Sequence, residues 1–274
     1  MVGIKKLLHK LVPIVKRAID NAKRDQYLWT DKSKKLQSIR NSAVRNRCFI
    51  IGNGPSLTLN DLESIREEDC FACNRIYGLY DETVWRPKFY CVQDKRVLKQ
   101  ICNDLRYATG QSEKSFLPYN YRNCYPQEVI EKEDVMLFYH PYVSVYSEDG
   151  NYSEGIIPFS SDITRGIYDG LSVIYGMIQI AVYMGYKEIY LVGMDHNYVM
   201  KDGKVDAERS YCKGIKPIDM ANQYPPELTL CENAFRTAKR YCEEHGIIIK
   251  NATRGGKLEV FERVCLDDLT GGSC

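Results

Sequence analysis

The sequence predicts an α/β chain of Rossmann-like architecture, a mostly parallel sheet with helices on both faces. Three observations predict it. From Arg47 onward, short apolar runs alternate with helical stretches. A Gly-rich turn follows the first run, and polar clusters stand at the ends of several others, where parallel strands gather ligands. The chain has 274 residues, of which 44% are hydrophobic, enough to bury a large core and to exclude a disordered polymer.

The N-terminal segment comes first. Residues 1–47 hold 13 Lys/Arg against three Asp (Asp20, Asp25, Asp31), which leaves 25 basic and 33 acidic residues for the rest. The overall charge of +2 gives no field suited to a nucleic-acid backbone, so no nucleic-acid partner is expected. Ile4, Leu7, Leu8, Leu11, Val12, Val15, Ala18 and Ile19 recur at helical spacing, with Lys and Arg mostly on the other side. Pro13 is expected to kink or divide that helix. Two readings stay open: the helix lies on an anionic membrane surface, or it packs on the domain or on a partner chain, as in a homo-oligomer. No apolar run approaches the ~20 residues of a membrane span, and Lys5, Lys6, His9 and Lys10 interrupt a secretory signal. The expected location is cytoplasmic, peripheral to the inner membrane face. The segments expected are 1–46, basic and helical, and 47–274, the α/β domain.

Within 47–274, candidate strands are Cys48–Ile51, Cys70–Cys73, Phe89–Val92, Val135–Phe138, Glu188–Val192 and Ile247–Ile249. A helix over Leu171–Met184 carries an apolar stripe and stops at Gly185. Another, with Cys231, Ala234, Phe235, Ala238, Tyr241 and Cys242 on one face, stops at Gly246. Tyr139–Arg165 and Asn197–Pro226 are too long for ordinary loops and suit lids or binding segments. The first holds Tyr139, Tyr142, Tyr146 and Tyr152, whose rings and hydroxyls suit a sugar or an exposed interface. Several of the 11 Cys sit in apolar runs, as reduced thiols do in a reducing compartment. Cys70-x-x-Cys73 has ligand spacing but no second half-site, so no zinc is expected.

The sharpest local signal is Gly52-Asn53-Gly54-Pro55-Ser56-Leu57 after the first strand. A strand, a Gly-rich turn and a helix let backbone N–H groups approach phosphate, although a tight structural turn has the same sequence. It matches neither the dinucleotide fingerprint nor a Walker loop. Asn74, twenty residues after Gly54, ends the second strand where a ribose commonly sits, or serves as a turn residue. Asp94 ends the third strand, and Asp195, His196, Asn197 and Tyr198 follow the fifth. These clusters are expected to converge on one crevice.

Phe49–Leu57, Cys73-Asn74 and Gly185–Asp195 closely resemble the bacterial sialyltransferases that decorate lipooligosaccharide, and the wider sialyltransferase-like and MptE-like (6-hydroxymethylpterin diphosphokinase-like) family with its surface-polysaccharide branch. Ser172-Val173-Ile174-Tyr175 and Asn251-Ala252-Thr253-Arg254-Gly255-Gly256 look more like the wider family. The resemblance implies a single glycosyltransferase domain that uses a nucleotide sugar donor, CMP-activated and sialic-acid-type, to build a bacterial surface glycan on a glycan acceptor, with no cofactor and no metal. It places Gly52, Asn53, Gly54, Pro55, Ser56, Asn74, Asp94 and Ser172 at the nucleotide. Where the sialyltransferases carry Tyr two residues past the strand-ending Asp, this chain has Asn197 and then Tyr198. Their base is a His well downstream, whereas no His occurs between His196 and His245. His196 is the expected general base in preference to Asp195, because an imidazole titrates near working pH whereas Asp195 would orient it or hold ribose; Tyr198 and Tyr211 are the expected donors to the departing phosphate. Two alternatives remain. One is an MptE-like diphosphokinase passing diphosphate from ATP to a pterin alcohol, with Mg²⁺ held by Asp94 and Asp195. The other is a non-catalytic nucleotide- or glycan-binding module that recruits enzymes through the basic helix.

Overall fold

The computed structural model describes residues 2–141, 157–215 and 227–271. Tyr142, Tyr146 and Tyr152 lie outside the described residues. Helix α1 (Val2–Leu28) leads into α2 (Asp31–Gln37), whose N-cap Thr30 accepts from the Ser33 N–H. Pro13 does not divide α1, which runs as one helix through it. A proline removes one N–H from the ladder, and the bonds on either side carry the helix past it.

The chain then alternates strands and helices: β1 (Arg47–Ile51), α3 (Leu59–Ser64), β2 (Cys70–Cys73), β3 (Phe89–Cys91), α4 (Lys95–Ile101), α5 (Leu105–Thr109), β4 (Lys114–Pro118), α6 (Gln127–Ile130), β5 (Val135–Phe138), α7 (Val173–Met184), β6 (Glu188–Val192), a hairpin of β7 (Met200–Lys201) and β8 (Lys204–Val205), α8 (Ala207–Ser210), α9 (Leu228–Glu244), β9 (Ile248–Asn251) and α10 (Leu266–Thr270). Seven strands form one sheet in the order β5-β4-β3-β2-β1-β6-β9, every pair parallel. The α/β, Rossmann-like expectation holds. Strand β4 and the hairpin occupy stretches in which no strand was expected.

Side-chain alternation splits each strand between two cores. Cys48 and Ile50 of β1, Phe71 and Cys73 of β2, and Ile189 and Leu191 of β6 join the core under α1, α2, α7 and α9. Phe49 and Ile51, Cys70 and Ala72, and Tyr190 and Val192 join the core under α3, α4 and α5. With both faces covered, the strands read as continuous apolar runs. Gly185 and Gly246, both at positive φ, follow α7 and α9 at the expected stops.

The N-terminal segment is tied to the sheet. Tyr27, Leu36 and Ile39 are buried in the first core, and the Tyr27 hydroxyl donates to the Leu137 carbonyl at 2.9 Å. Lys35 Nζ reaches the Lys132 and Val135 carbonyls. Among the described residues no helix is long and apolar enough to cross a membrane, and no group of three His, Cys, Asp or Glu is arranged to hold a metal ion. Burial pushes the Cys73 thiol up to about 12, so it stays protonated.

Candidate functional site

The sheet changes direction at β1, since β2 lies on one side and β6 on the other. A crevice opens beyond the carboxyl ends of neighbouring strands at such a point. It is lined from the β1 end by Gly52, Asn53 and Gly54, from the β2 end by Asn74 and Arg75, from the β6 end by Gly193 to Tyr198, and from the start of α7 by Ser172. Ser210, Tyr211 and Ile215 close one side.

The Gly-rich turn spends the N–H groups of Gly52, Gly54, Ser56 and Leu57 inside the protein. Gly52 N–H reaches the Val192 carbonyl at 2.8 Å, Gly54 N–H the Gly193 carbonyl at 2.9 Å, and Leu57 N–H the Gly54 carbonyl at 3.1 Å. Ser56 donates twice to Asp195 Oδ2, from Oγ at 2.7 Å and from its N–H at 3.3 Å. A Cβ on Gly52 would collide with the Gly193 carbonyl, and one on Gly54 with Asp195 Oδ2. These glycines therefore allow the β1 and β6 ends to meet and present Asp195. The helix that follows the turn starts beyond Ser56: Thr58 is the N-cap of α3, in a capping box with Asp61. The helix end at the crevice is that of α7, twelve residues long, where Ser172 Oγ accepts from the Ile174 N–H at 3.3 Å. Its dipole puts positive potential at the crevice wall. Just before it, Leu171 holds φ +59, its N–H donating to Asp169 Oδ1 at 2.7 Å.

Two amide oxygens in the crevice have no partner among the described residues. Asn53 Nδ2 donates to the Cys73 carbonyl at 3.2 Å, which leaves Asn53 Oδ1 buried and unsatisfied. Asn74, at φ +55, accepts from the Tyr90 hydroxyl with its own carbonyl, and its Oδ1 is likewise buried and unsatisfied. A buried acceptor without a donor is costly, so this pair suits a ligand that brings hydroxyl or amino hydrogens.

Asp195 is clamped from behind. Its carbonyl accepts from Lys257 N–H at 2.7 Å, and Met194 N–H donates to Thr253 Oγ1 at 3.0 Å. Burial raises its carboxyl above the usual range, while the Ser56 bonds and Arg263 act the other way. His196, at φ +50, lines the crevice with its ring against α9: Nε2 lies 3.5 Å from Glu232 Oε1, and the ring meets Phe235 edge-on. Nε2 is buried without a hydrogen bond among the described residues, and desolvation lowers the imidazole pKa although Glu232 opposes it. The rings of Tyr198 and Tyr211 sit edge to face at 6.5 Å, and burial raises both phenols, which keeps their hydroxyls protonated as donors. Cys212 N–H, donating to the Asn53 carbonyl at 2.9 Å, fastens this segment over the turn.

Asp94, Pro55 and Ser56, all expected at the nucleotide, fall outside the lining. Asp94 N-caps α4 and forms an ion pair with Arg96 at 2.6 Å, outside the crevice lining that contains Asp195. Arg75 was not anticipated, although it directly follows Asn74 at the end of β2; its guanidinium reaches Gln100 Oε1 at 3.3 Å. A second unanticipated cluster stands beyond β3 and β5, where Gln93 Nε2 bridges His140 Nε2 and Asp169 Oδ1, each at 3.1 Å.

The family model described as 6-hydroxymethylpterin diphosphokinase MptE-like matches residues 21–201. The chain belongs to this family. No curated protein matches it. Among solved structures, the MAf glycosyltransferase from Magnetospirillum magneticum AMB-1 is similar at 17% identity and a TM-score of 0.48, covering 89% of this chain. This chain spans only 38% of that protein's length. The sialyltransferase CstII from Campylobacter jejuni, in complex with CMP-3FNeuAc, is similar at 18% identity and a TM-score of 0.43, with 80% of this chain and 86% of that one covered. The same enzyme with cytidine-5'-monophosphate gives 17%, a TM-score of 0.41, and coverage of 80% and 84%.

Proposed function

We propose that this MptE-like chain is a nucleotide-dependent transferase whose donor is a CMP-activated sugar of sialic-acid type and whose acceptor is a bacterial surface glycan. The observation that carries the nucleotide reading is the pair of orphaned oxygens, Asn53 Oδ1 and Asn74 Oδ1, in one crevice with the N-terminus of α7. The oxygens would accept from ribose hydroxyls or a base amino group, and the helix end would face phosphate. The sugar and the cytidine rest on the resemblance of Phe49–Leu57 and Gly185–Asp195 to the sialyltransferases. In the reaction the acceptor oxygen gives its proton to His196 and bonds to the anomeric carbon. The carbon–oxygen bond to phosphate breaks with its electron pair leaving on CMP, where the Tyr198 and Tyr211 hydroxyls donate.

The family description favours a second reading, transfer of diphosphate from ATP to a pterin alcohol. That chemistry supplies charge neutralisation through Mg²⁺. Asp195 is the only carboxylate among the described lining residues, and Asp94 is held by Arg96, so the expected two-carboxylate site is not assembled. A thermal-shift panel of CMP, CMP-sialic acid, UDP, GDP and ATP, each with and without Mg²⁺, decides between the readings. Stabilisation by the cytidine nucleotides without metal is expected. Asn74→Gly, which tolerates the positive φ, should weaken CMP about tenfold through the lost hydrogen bond while leaving the apo melting temperature nearly unchanged. A shift only with ATP and Mg²⁺ would replace the sugar reading by the diphosphokinase one.

A further inference from the structure

Helix α1 touches the domain along one stripe. Asp20 Oδ1 accepts from the Tyr139 hydroxyl at 2.7 Å, and Tyr27, two turns further along the same face, is fully buried. Val12, Val15, Ile19 and Ala22 follow a different stripe, spaced three, four and three residues apart and turned about a third of a revolution from the first. That stripe is uncovered: Val12 is 45% exposed, Val15 53% and Ile19 51%. Trp29, just past the end of α1, is 85% exposed. An amphipathic helix on a globular domain ordinarily turns its apolar stripe inward. Here the inward stripe is polar and aromatic, and the outward one is apolar.

The charge around the stripe selects its occupant. Residues 1–47 carry 13 Lys/Arg and three Asp, while the remainder carries 25 basic and 33 acidic residues. Exposed Lys23 lies beside the stripe by helical spacing. Exposed Asp25 stands on the opposite flank, but the segment carries a strong excess of cations, and an apolar strip on such a segment, with an exposed Trp just past its end, has the chemistry of a helix that lies in an anionic interface. A second copy of α1 would bring the same excess of cations face to face, which repels. We propose that the outward face of α1 docks on an anionic lipid surface, seating Val12, Val15, Ile19 and Trp29 among the acyl chains and the basic side chains among the headgroups. This reading is independent of the donor.

The test uses the full chain, mixed with phosphatidylcholine vesicles that contain about one-third phosphatidylglycerol or none. Sedimentation is expected with the anionic vesicles only, falling steeply as salt is raised. Val15→Ser with Ile19→Ser should lower the partition coefficient about tenfold, since each loses apolar area from the interface. Circular dichroism and CMP titration should be unchanged in that variant, because neither residue packs on the domain. Absence of sedimentation overturns the proposal, as does equal partition of the parent and the double variant. A concentration-dependent dimer in lipid-free ultracentrifugation that the double variant dissolves would assign the face to a second copy instead.

Discussion

Asp195 carries a cost that the fold has not removed. Burial raises its pKa above 3.8, so the folded state prefers the protonated carboxyl. Stability from such a group is full below 3.8 and is lost as pH rises through the folded value. Above its folded pKa the residue is a charged group held in a crevice against the preference of its surroundings, a common state of functional carboxylates. Asp195→Asn keeps an acceptor for the Ser56 hydroxyl and removes the charge. We expect its melting temperature at pH 7 to equal or exceed the parent's, and the difference to shrink at pH 4, while turnover drops; calorimetry at the two pH values reads the sign. A lower melting temperature at pH 7 would mean that Asp195 is structural. His196 behaves differently, because desolvation moves its pKa below 6.5. Its contribution to stability is full above 6.5 and is lost as pH falls through the folded value, and over the same range a base at this position would lose activity. His196→Ala should lower turnover by about 10²-fold and flatten that acidic limb, with little change in donor affinity. Near-normal turnover would remove His196 from the chemistry.

Among the elements, the close approach of the β1 and β6 ends decides whether the crevice exists. Gly54→Ala would put a methyl where Asp195 Oδ2 now accepts from Ser56, so the two turns must separate. Overpacking of this kind costs about 1–3 kcal/mol. A melting temperature lower by several degrees and loss of CMP binding are expected; unchanged binding would show that the turns do not have to touch. Strands covered on both faces were legible as apolar runs, which is why Cys70–Cys73, Val135–Phe138 and Glu188–Val192 stand where the sequence puts them. Strand β4 was not, because Ser115 interrupts its pattern; the residue is fully buried and its hydroxyl pairs with Ser112 at 3.0 Å, a partner invisible to periodicity. The β7–β8 hairpin did carry a signal, Asp202-Gly203, whose positive φ values of 50° and 74° are those of a two-residue turn. Its strands are two residues each, too short for alternation to register. At the site, gathering of the strand-end residues followed from parallel topology. The spending of Gly52, Gly54 and Ser56 donors on β6 depends on tertiary contacts that spacing does not encode.

At the scale of the whole molecule, the question is where the cooperative unit begins. A boundary at residue 46 fits the charge pattern, whereas burial runs further toward the N-terminus. Tyr27 is fully buried, donates to the Leu137 carbonyl, and packs against the rings of Tyr119 and Tyr139 at 5.0 and 5.5 Å. Leu36 and Ile39 sit in the same core as β1 and α7. Before Asp20 the described residues of α1 are exposed. The helix thus divides into an outer part that adds surface and an inner part that completes the core. Removing residues 1–18 should leave the melting temperature within a few degrees and nucleotide binding intact, while abolishing vesicle binding. Tyr27→Ala should cost about 3–5 kcal/mol, as loss of a buried aromatic ring does. In a domain of this size that corresponds to a fall of roughly 6–20 °C. The two variants measured side by side locate the edge of the fold: a Tyr27→Ala protein that melts with the parent would mean the strands and later helices fold without this segment. A truncation at 18 that melts as low as Tyr27→Ala would mean that the outer turns of α1 belong to the core, and that their apolar face is not free to meet a membrane.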